Sequence, residues 1–150
     1  MEKRQVRQCL ACAMLLCMLS PADARGPYTL TPTVKAIPPE NTEGGSPAPR
    51  AERWYVNPKQ TIWMYGELPW VADRPLKIAW FRPAGAELRV TGQRLDASAA
   101  PLGVEIGSGR EYKHRFLPSQ LRFPAPGIWE IKARSGDHQF RVLVEVAAGK

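Results

Sequence analysis

Between Leu121 and Val146 the chain reads LRFPAPGIWEIKARSGDHQFRVLVEV, and apolar side chains fall at every second position. That period matches the pleat of a β-strand, whose successive side chains point to opposite faces, and not the 3.6-residue turn of a helix. Leu121 and Phe123 share a face before Pro124 and Pro126 interrupt the strand. Trp129, Ile131 and Ala133 then form one face, opposite Ile128, Glu130, Lys132 and Arg134. Ser135-Gly136-Asp137 supplies a glycine able to take positive φ between short polar residues, which is hairpin chemistry. On the return, Phe140, Val142, Val144 and Val146 line one face, while Gln139, Arg141 and Glu145 lie on the other. Leu143 is an apolar exception on the wet side. Two adjacent strands, each oily on one side and wet on the other, predict an antiparallel sheet with one buried face. This stretch is scaffold.

The same alternation recurs upstream. LKIAWFRPAG sets Leu76, Ile78 and Trp80 on one face and turns at Pro83-Ala84-Gly85. AELRVTGQRL puts Leu88 and Val90 inward and Glu87, Arg89, Thr91 and Gln93 outward. In QTIWMYGEL, Ile62 and Met64 oppose Trp63 and Tyr65, and the pattern does not choose between the pairs. LGVEIG (Leu102, Val104, Ile106) and EYKHRFL (Tyr112, His114, Phe116) are further candidate strands. No long window carries a helical period. About seven to nine short strands separated by turn residues predict an all-β, antiparallel β-sandwich. Residues 53–148 form the predicted domain, a length suited to one small sandwich. Residues 25–52, rich in Pro, Gly, Thr and Ser, read as a flexible linker, in which Tyr28 to Val34 is a candidate short strand.

The first residues predict export. Lys3, Arg4 and Arg7 precede an apolar run from Cys9 to Leu19, and Ala22-Asp23-Ala24 offers a small-x-small cleavage pattern. As a helix that run is about 16 Å long, roughly half a bilayer core, so a signal peptide over residues 1–24, cleaved after Ala24, fits better than a membrane span. The expected destination is the periplasm or the medium. All three cysteines, Cys9, Cys12 and Cys17, would leave with the signal. The processed chain then has no disulfide, thiolate metal site or cysteine nucleophile. The chain carries a net charge of +7, and the signal removes three cations against the two acids Glu2 and Asp23. The basic balance suits anionic cell-envelope partners; for an exported chain it argues poorly for nucleic acid.

Two stretches carry a resemblance. Trp80 in LKIAWF and Pro126-Gly127-Ile128-Trp129 in LRFPAPGIWEIKA resemble the immunoglobulin-like β-sandwich, in which a tryptophan of the third strand packs between the sheets. The wider pattern, WFRPAG … L.V.G.RLD … PL … L.FP.PG.WE over roughly residues 60–146, is similar to small exported bacterial proteins of unassigned function. The processed chain departs from antibody-type domains in lacking the inter-sheet cysteine pair, and Trp129 stands where a corner tyrosine would. The resemblance implies an architecture, and that architecture hosts many functions.

Residues able to do chemistry are sparse. His114 and His138 are isolated, which is too few ligands for a zinc or copper site, so no metal and no cofactor is expected. Ser46, Ser98, Ser108, Ser119 and Ser135 fall mainly in turns, and none sits in a nucleophile elbow. Glu67 and Asp73 flank Trp70 in GELPWVADRP, the arrangement from which a small carbohydrate hydrolase would be built. GSGREYKHRF offers a basic edge, Arg110, Lys113 and Arg115. Trp54, Tyr55, Trp63, Tyr65 and Trp70 crowd one region, more aromatics than a small core needs. The expected function is therefore a non-catalytic exported module of the bacterial cell envelope that binds a protein or an anionic glycan. Trp63, Trp70, Arg110, Lys113 and Arg115 are the predicted contacts. The alternatives are an assembly role for residues 25–52, and the hydrolase.

Overall fold

The hairpin is the clearest case of sequence becoming structure. Strands β7 (Gly127–Ser135) and β8 (His138–Val146) pair antiparallel around the two-residue loop Gly136-Asp137, with Gly136 at φ 57°. The pairing sets Trp129 opposite Val144, Ile131 opposite Val142 and Ala133 opposite Phe140, one continuous buried face. The computed structural model describes residues 27–35, 38, 53–107 and 116–149. The segment 1–24 with its cysteines, most of 36–52, and the stretch holding Arg110, Lys113, His114 and Arg115 lie outside the described residues.

Six further strands complete the described fold: β1 (Tyr55–Val56), β2 (Trp63–Gly66), β3 (Pro75–Phe81), β4 (Leu88–Arg94), β5 (Gly103–Ile106) and β6 (Phe116–Arg122). They form two antiparallel sheets, ordered β1-β2-β3-β6-β5 and β4-β7-β8. Among the described residues there is no helix, and none long and apolar enough to cross a membrane. Ile78, Trp80 and Leu121 of the larger sheet meet Val90, Trp129, Ile131 and Val142 of the smaller in one core, a sandwich-like arrangement. Trp80 anchors there by donating its indole N–H to Ser119 Oγ (2.8 Å), so a buried polar edge is satisfied within the core.

Two details differ from the expected strands. The end of EYKHRFL and the start of LRF, predicted as separate strands, merge into the single strand β6, which runs straight through Pro118. Proline removes a ladder donor and is ordinarily confined to edges. Here the Pro118 carbonyl faces the β5 side, where it accepts from Gly107 N (2.9 Å), just past the end of β5. The missing N–H therefore falls where the ladder is already closing, and the β3–β6 pairing is untouched. The second difference concerns residues 27–35. Val34 bridges Trp54 through two backbone hydrogen bonds, Thr31 N donates to Leu143 O (2.9 Å), and Tyr28 Oη donates to Leu95 O (2.8 Å). This portion of the Pro-rich stretch is stitched to the edges of both sheets.

That stitching also accounts for Leu143. Its N–H donates to Thr31 Oγ1 (2.9 Å), so the N-terminal segment lies along its backbone and Leu143 is only partly exposed. Along the same edge, Gln139 O accepts from Asn57 Nδ2 (3.0 Å), and Ala147 N donates to Trp70 O (2.8 Å). An exposed edge strand invites pairing with other chains, and this edge is blocked at two points along β8 and a third just past its end.

Candidate functional site

The buried aromatics remove two of the expected contacts. Trp63 and Trp70 are 3% and 1% exposed, so neither offers a ring to solvent, and the expectation that they form a contact patch is corrected. The reason lies in β2, which is covered on both faces. Met64 enters the main core, while Trp63 joins Trp54, Phe81 and Phe116 in a second cluster on the opposite face of the sheet. Trp54 meets Trp63 edge-on at 6.2 Å, and the Trp63 indole N–H donates to Gln60 O (2.8 Å). Trp70 sits on a loop that folds back over the end of β8. Its ring lies between Tyr55 (5.6 Å) and Phe123 (5.8 Å, stacked), and Phe123 in turn meets Trp129 edge-on. The surplus aromatics are thus consumed by a core that runs past both faces of the larger sheet.

Glu67 and Asp73 are both exposed on that same loop. Ser119 and Ser135 are buried, and their hydroxyls serve Trp80 and the Ala86 carbonyl. Among the described residues no three His, Cys, Asp or Glu side chains gather as a metal site. A shallow, mostly apolar cleft of about 340 Å³ opens at the seam between the sheets, lined by Leu30, Leu68, Trp70, Leu143 and Val144 among others.

The strongest charged feature is elsewhere, on the outer face of the three-stranded sheet. Alternation sends Arg89, Thr91 and Gln93 of β4 outward, with Glu130, Lys132 and Arg134 of β7 and Gln139, Arg141, Leu143 and, at the far end, Glu145 of β8. Register arranges them in rows: Arg89, Arg134 and Gln139; then Thr91, Lys132 and Arg141; then Gln93, Glu130 and Leu143. Neighbouring strands lie about 4.8 Å apart and alternate residues about 6.8 Å along a strand. Four cations therefore occupy the first two rows, each one strand interval or one side-chain repeat from the next, and all four are exposed.

Glu130 organises the middle of this face. Though only 4% exposed, its carboxylate accepts from Lys132 Nζ (2.7 Å), Gln93 Nε2 (3.1 Å) and Arg141 Nε. Burial pushes the Glu130 carboxyl up, but the hydrogen bonds and charges of Lys132 and Arg141 outweigh it and hold the group below the ordinary carboxylate value. At the upper corner Arg89 pairs with Glu87 (3.0 Å) in full solvent, and Arg134 Nε donates to Gly136 O (3.0 Å). Arg89 opposes Arg134 and Lys132 opposes Arg141. Like charges directly opposite across a ladder destabilise a sheet; the first pair is relieved through the exposed Glu87 on Arg89, the second through the buried Glu130 that both its cations share.

None of these four cations stood out in the sequence, where each was simply a wet position of its strand. Lys132 and Arg141 are aligned by the β7–β8 hairpin, once its loop is seen to hold the two residues Gly136 and Asp137. Arg89 joins them only through the β4–β7 pairing, which joins distant parts of the chain. No protein-family model matches the chain, and no curated protein shows significant similarity to it.

Proposed function

We propose that this chain is an exported, non-catalytic interaction module of the bacterial cell envelope, an immunoglobulin-like β-sandwich that docks an anionic partner. The observation that carries the reading is the outer face of the β4-β7-β8 sheet, where Arg89, Lys132, Arg134 and Arg141 are exposed together. A sheet face of this kind is rigid, since its side chains project from a paired backbone, and it presents charge without needing a moving element. Clustered charge of one sign raises the local concentration of opposite charge and speeds encounter. The basic edge Arg110, Lys113 and Arg115 belongs to the same proposal as a second source of positive charge.

The test is retention of the processed chain on its own cell-envelope fraction at low and at high ionic strength. Salt-reversible retention is expected, and loss of most of it in the double variant Arg89→Glu, Arg134→Glu. Both residues are exposed and neither touches Glu130; circular dichroism of the variant checks that its fold is kept. Equal retention of wild type and variant would remove the outer face as the contact surface.

A further inference from the structure

The geometry points to a linear anionic glycan, a polysaccharide bearing a carboxylate or similar oxyanion on its repeating units, as the occupant of the outer face of the β4-β7-β8 sheet. This rests on the reading that this face is the contact surface, and adds which class of partner it fits.

Three observations separate a glycan from a folded protein or a lipid surface. The first is what the face lacks. Protein interfaces draw most of their affinity from a few aromatic or apolar anchors seated in pockets, and amphipathic membrane binding needs apolar side chains to insert. The first two rows carry Arg, Lys, Thr and Gln only. Leu68, the exposed large apolar residue among the described residues, lies on the β2–β3 loop and not on this sheet. Binding here is driven by charge, which suits a partner that is itself densely charged and poor in apolar surface.

The second is spacing. Arg89 and Arg134 lie across one strand interval, as do Lys132 and Arg141, and the two pairs are one side-chain repeat apart. With about 4.8 Å in one direction and about 6.8 Å in the other, the cations form a lattice roughly the width of two sugar units. An extended chain laid over it meets a cation at each step, whereas a free monomeric anion gains only one or two contacts. Guanidinium groups suit this, because their planar fork of donors matches an oxyanion bidentately.

The third is the set of neutral partners. Thr91 and Gln139 are exposed among the cations, and a hydroxyl and a primary amide supply the donors and acceptors that sugar hydroxyls need. Gln93, by contrast, is already committed to Glu130. Two acids work against binding: Glu87 pairs with Arg89 in full solvent, where a polyanion can displace it, and Glu130 neutralises some of the charge of Lys132 and Arg141 while fixing where they stand.

Oligogalacturonates of increasing length are a suitable probe, measured by calorimetry with the full processed chain. Controls are the galacturonate monomer, carboxyl-reduced oligomers, polyglutamate, and anionic vesicles of phosphatidylglycerol. Affinity is expected to rise with length until the oligomer spans the two rows, and to fall steeply with salt. The Arg89→Gln, Arg134→Gln double variant should bind at least tenfold more weakly. Glu130→Gln should bind a few-fold more tightly while folding less stably, a combination that a merely structural role for the cluster would not produce. If polyglutamate or vesicles bind through Arg89 and Arg134 and the oligogalacturonates do not, the glycan assignment is overturned and the basic contact face stands. If the carboxyl-reduced oligomers bind as well as the charged ones, the charge argument is overturned. If no polyanion binds and envelope retention ignores Arg89→Glu, Arg134→Glu, both readings fall together.

Discussion

Replacing Glu130 by Gln tests the electrostatic account of the outer face with a sign that depends on pH. Gln keeps the shape and can still accept from Gln93, but it cannot bind Lys132 and Arg141 as an ion. Hydrogen bonds to a charged group contribute about 1.5–3 kcal/mol when shielded, and exposed ion pairs about 0.2–1 kcal/mol. The carboxylate is buried but the side chains of Lys132 and Arg141 are 55% and 64% exposed, so the pair of contacts lies between these limits. The expected cost at neutral pH is about 1–2 kcal/mol, or roughly 4–16 °C in Tm for a domain of this size.

Because the folded carboxyl titrates below its ordinary value of 4.5, the stabilisation is fully present above that value and is lost as the pH falls through the lowered folded one. Every other titratable group, including the Arg94-paired Asp96, is common to both proteins and cancels in their difference. Urea unfolding of wild type and Glu130→Gln across the acid range should therefore show a stability gap that is constant near neutrality and narrows as the pH falls below the ordinary carboxylate range. A gap that stays the same at every pH, or a Gln variant as stable as wild type at pH 7, would refute the claim that Lys132 and Arg141 stabilise a charged Glu130.

Other perturbations probe the scaffold. Asn57 is buried and makes four hydrogen bonds, accepting from Thr61 N and Ile62 N and donating to Thr61 Oγ1 and Gln139 O. Asn57→Ala should cost about 2–4 kcal/mol by denaturant titration, since it orphans buried backbone groups and cuts a tie between the sheets. Gly127 has φ 133°, and a Cβ there would lie 2.5 Å from Arg94 Nε and 2.6 Å from Asp96 Oδ1. Gly127→Ala should lower stability by about 2 kcal/mol or more, with the Arg94–Asp96 pair displaced, whereas Ala at exposed Gly103 should change far less. Trp70→Ala should cost about 3–5 kcal/mol through the cavity left between Tyr55 and Phe123, while the fraction that folds binds oligogalacturonate as wild type does. Weaker binding by that folded fraction would return Trp70 to the contact set.

How the two layers meet depends on residues that look unremarkable in a row of letters. Asn57 follows a two-residue strand, and Thr31 lies in a Pro-rich stretch, yet each ties the larger sheet's side of the fold to β8. Composition marked residues 25–52 as linker because proline and glycine cost a strand its ladder and its packing. Over residues 27–35 a few hydrogen bonds at sheet edges are enough to bind the segment, with no regular strand and hence no period to read. Pro118 makes the same point from the other side. Its position at the end of the β5 ladder, which sequence does not show, is what makes a proline tolerable there.

What the sequence determined by itself was local. Alternation in β3, β4, β7 and β8 settled which side of each strand is oily, because successive side chains on a pleated backbone must point opposite ways. The Ser135-Gly136-Asp137 turn marked β7 and β8 as a hairpin, while the structure fixed its loop at two residues, Gly136-Asp137, and with it the register. The tertiary structure alone decided that β4 lies against β7, which turned four scattered wet positions into one basic surface. It also decided that β2 is covered on both sides, which took Trp63 out of solvent, and that the following loop folds back over the end of β8, which did the same for Trp70. The physical reason is the same in both cases: pairing between distant strands is chosen by the packing of the whole body, and the side chains next to each residue in the chain carry no record of it.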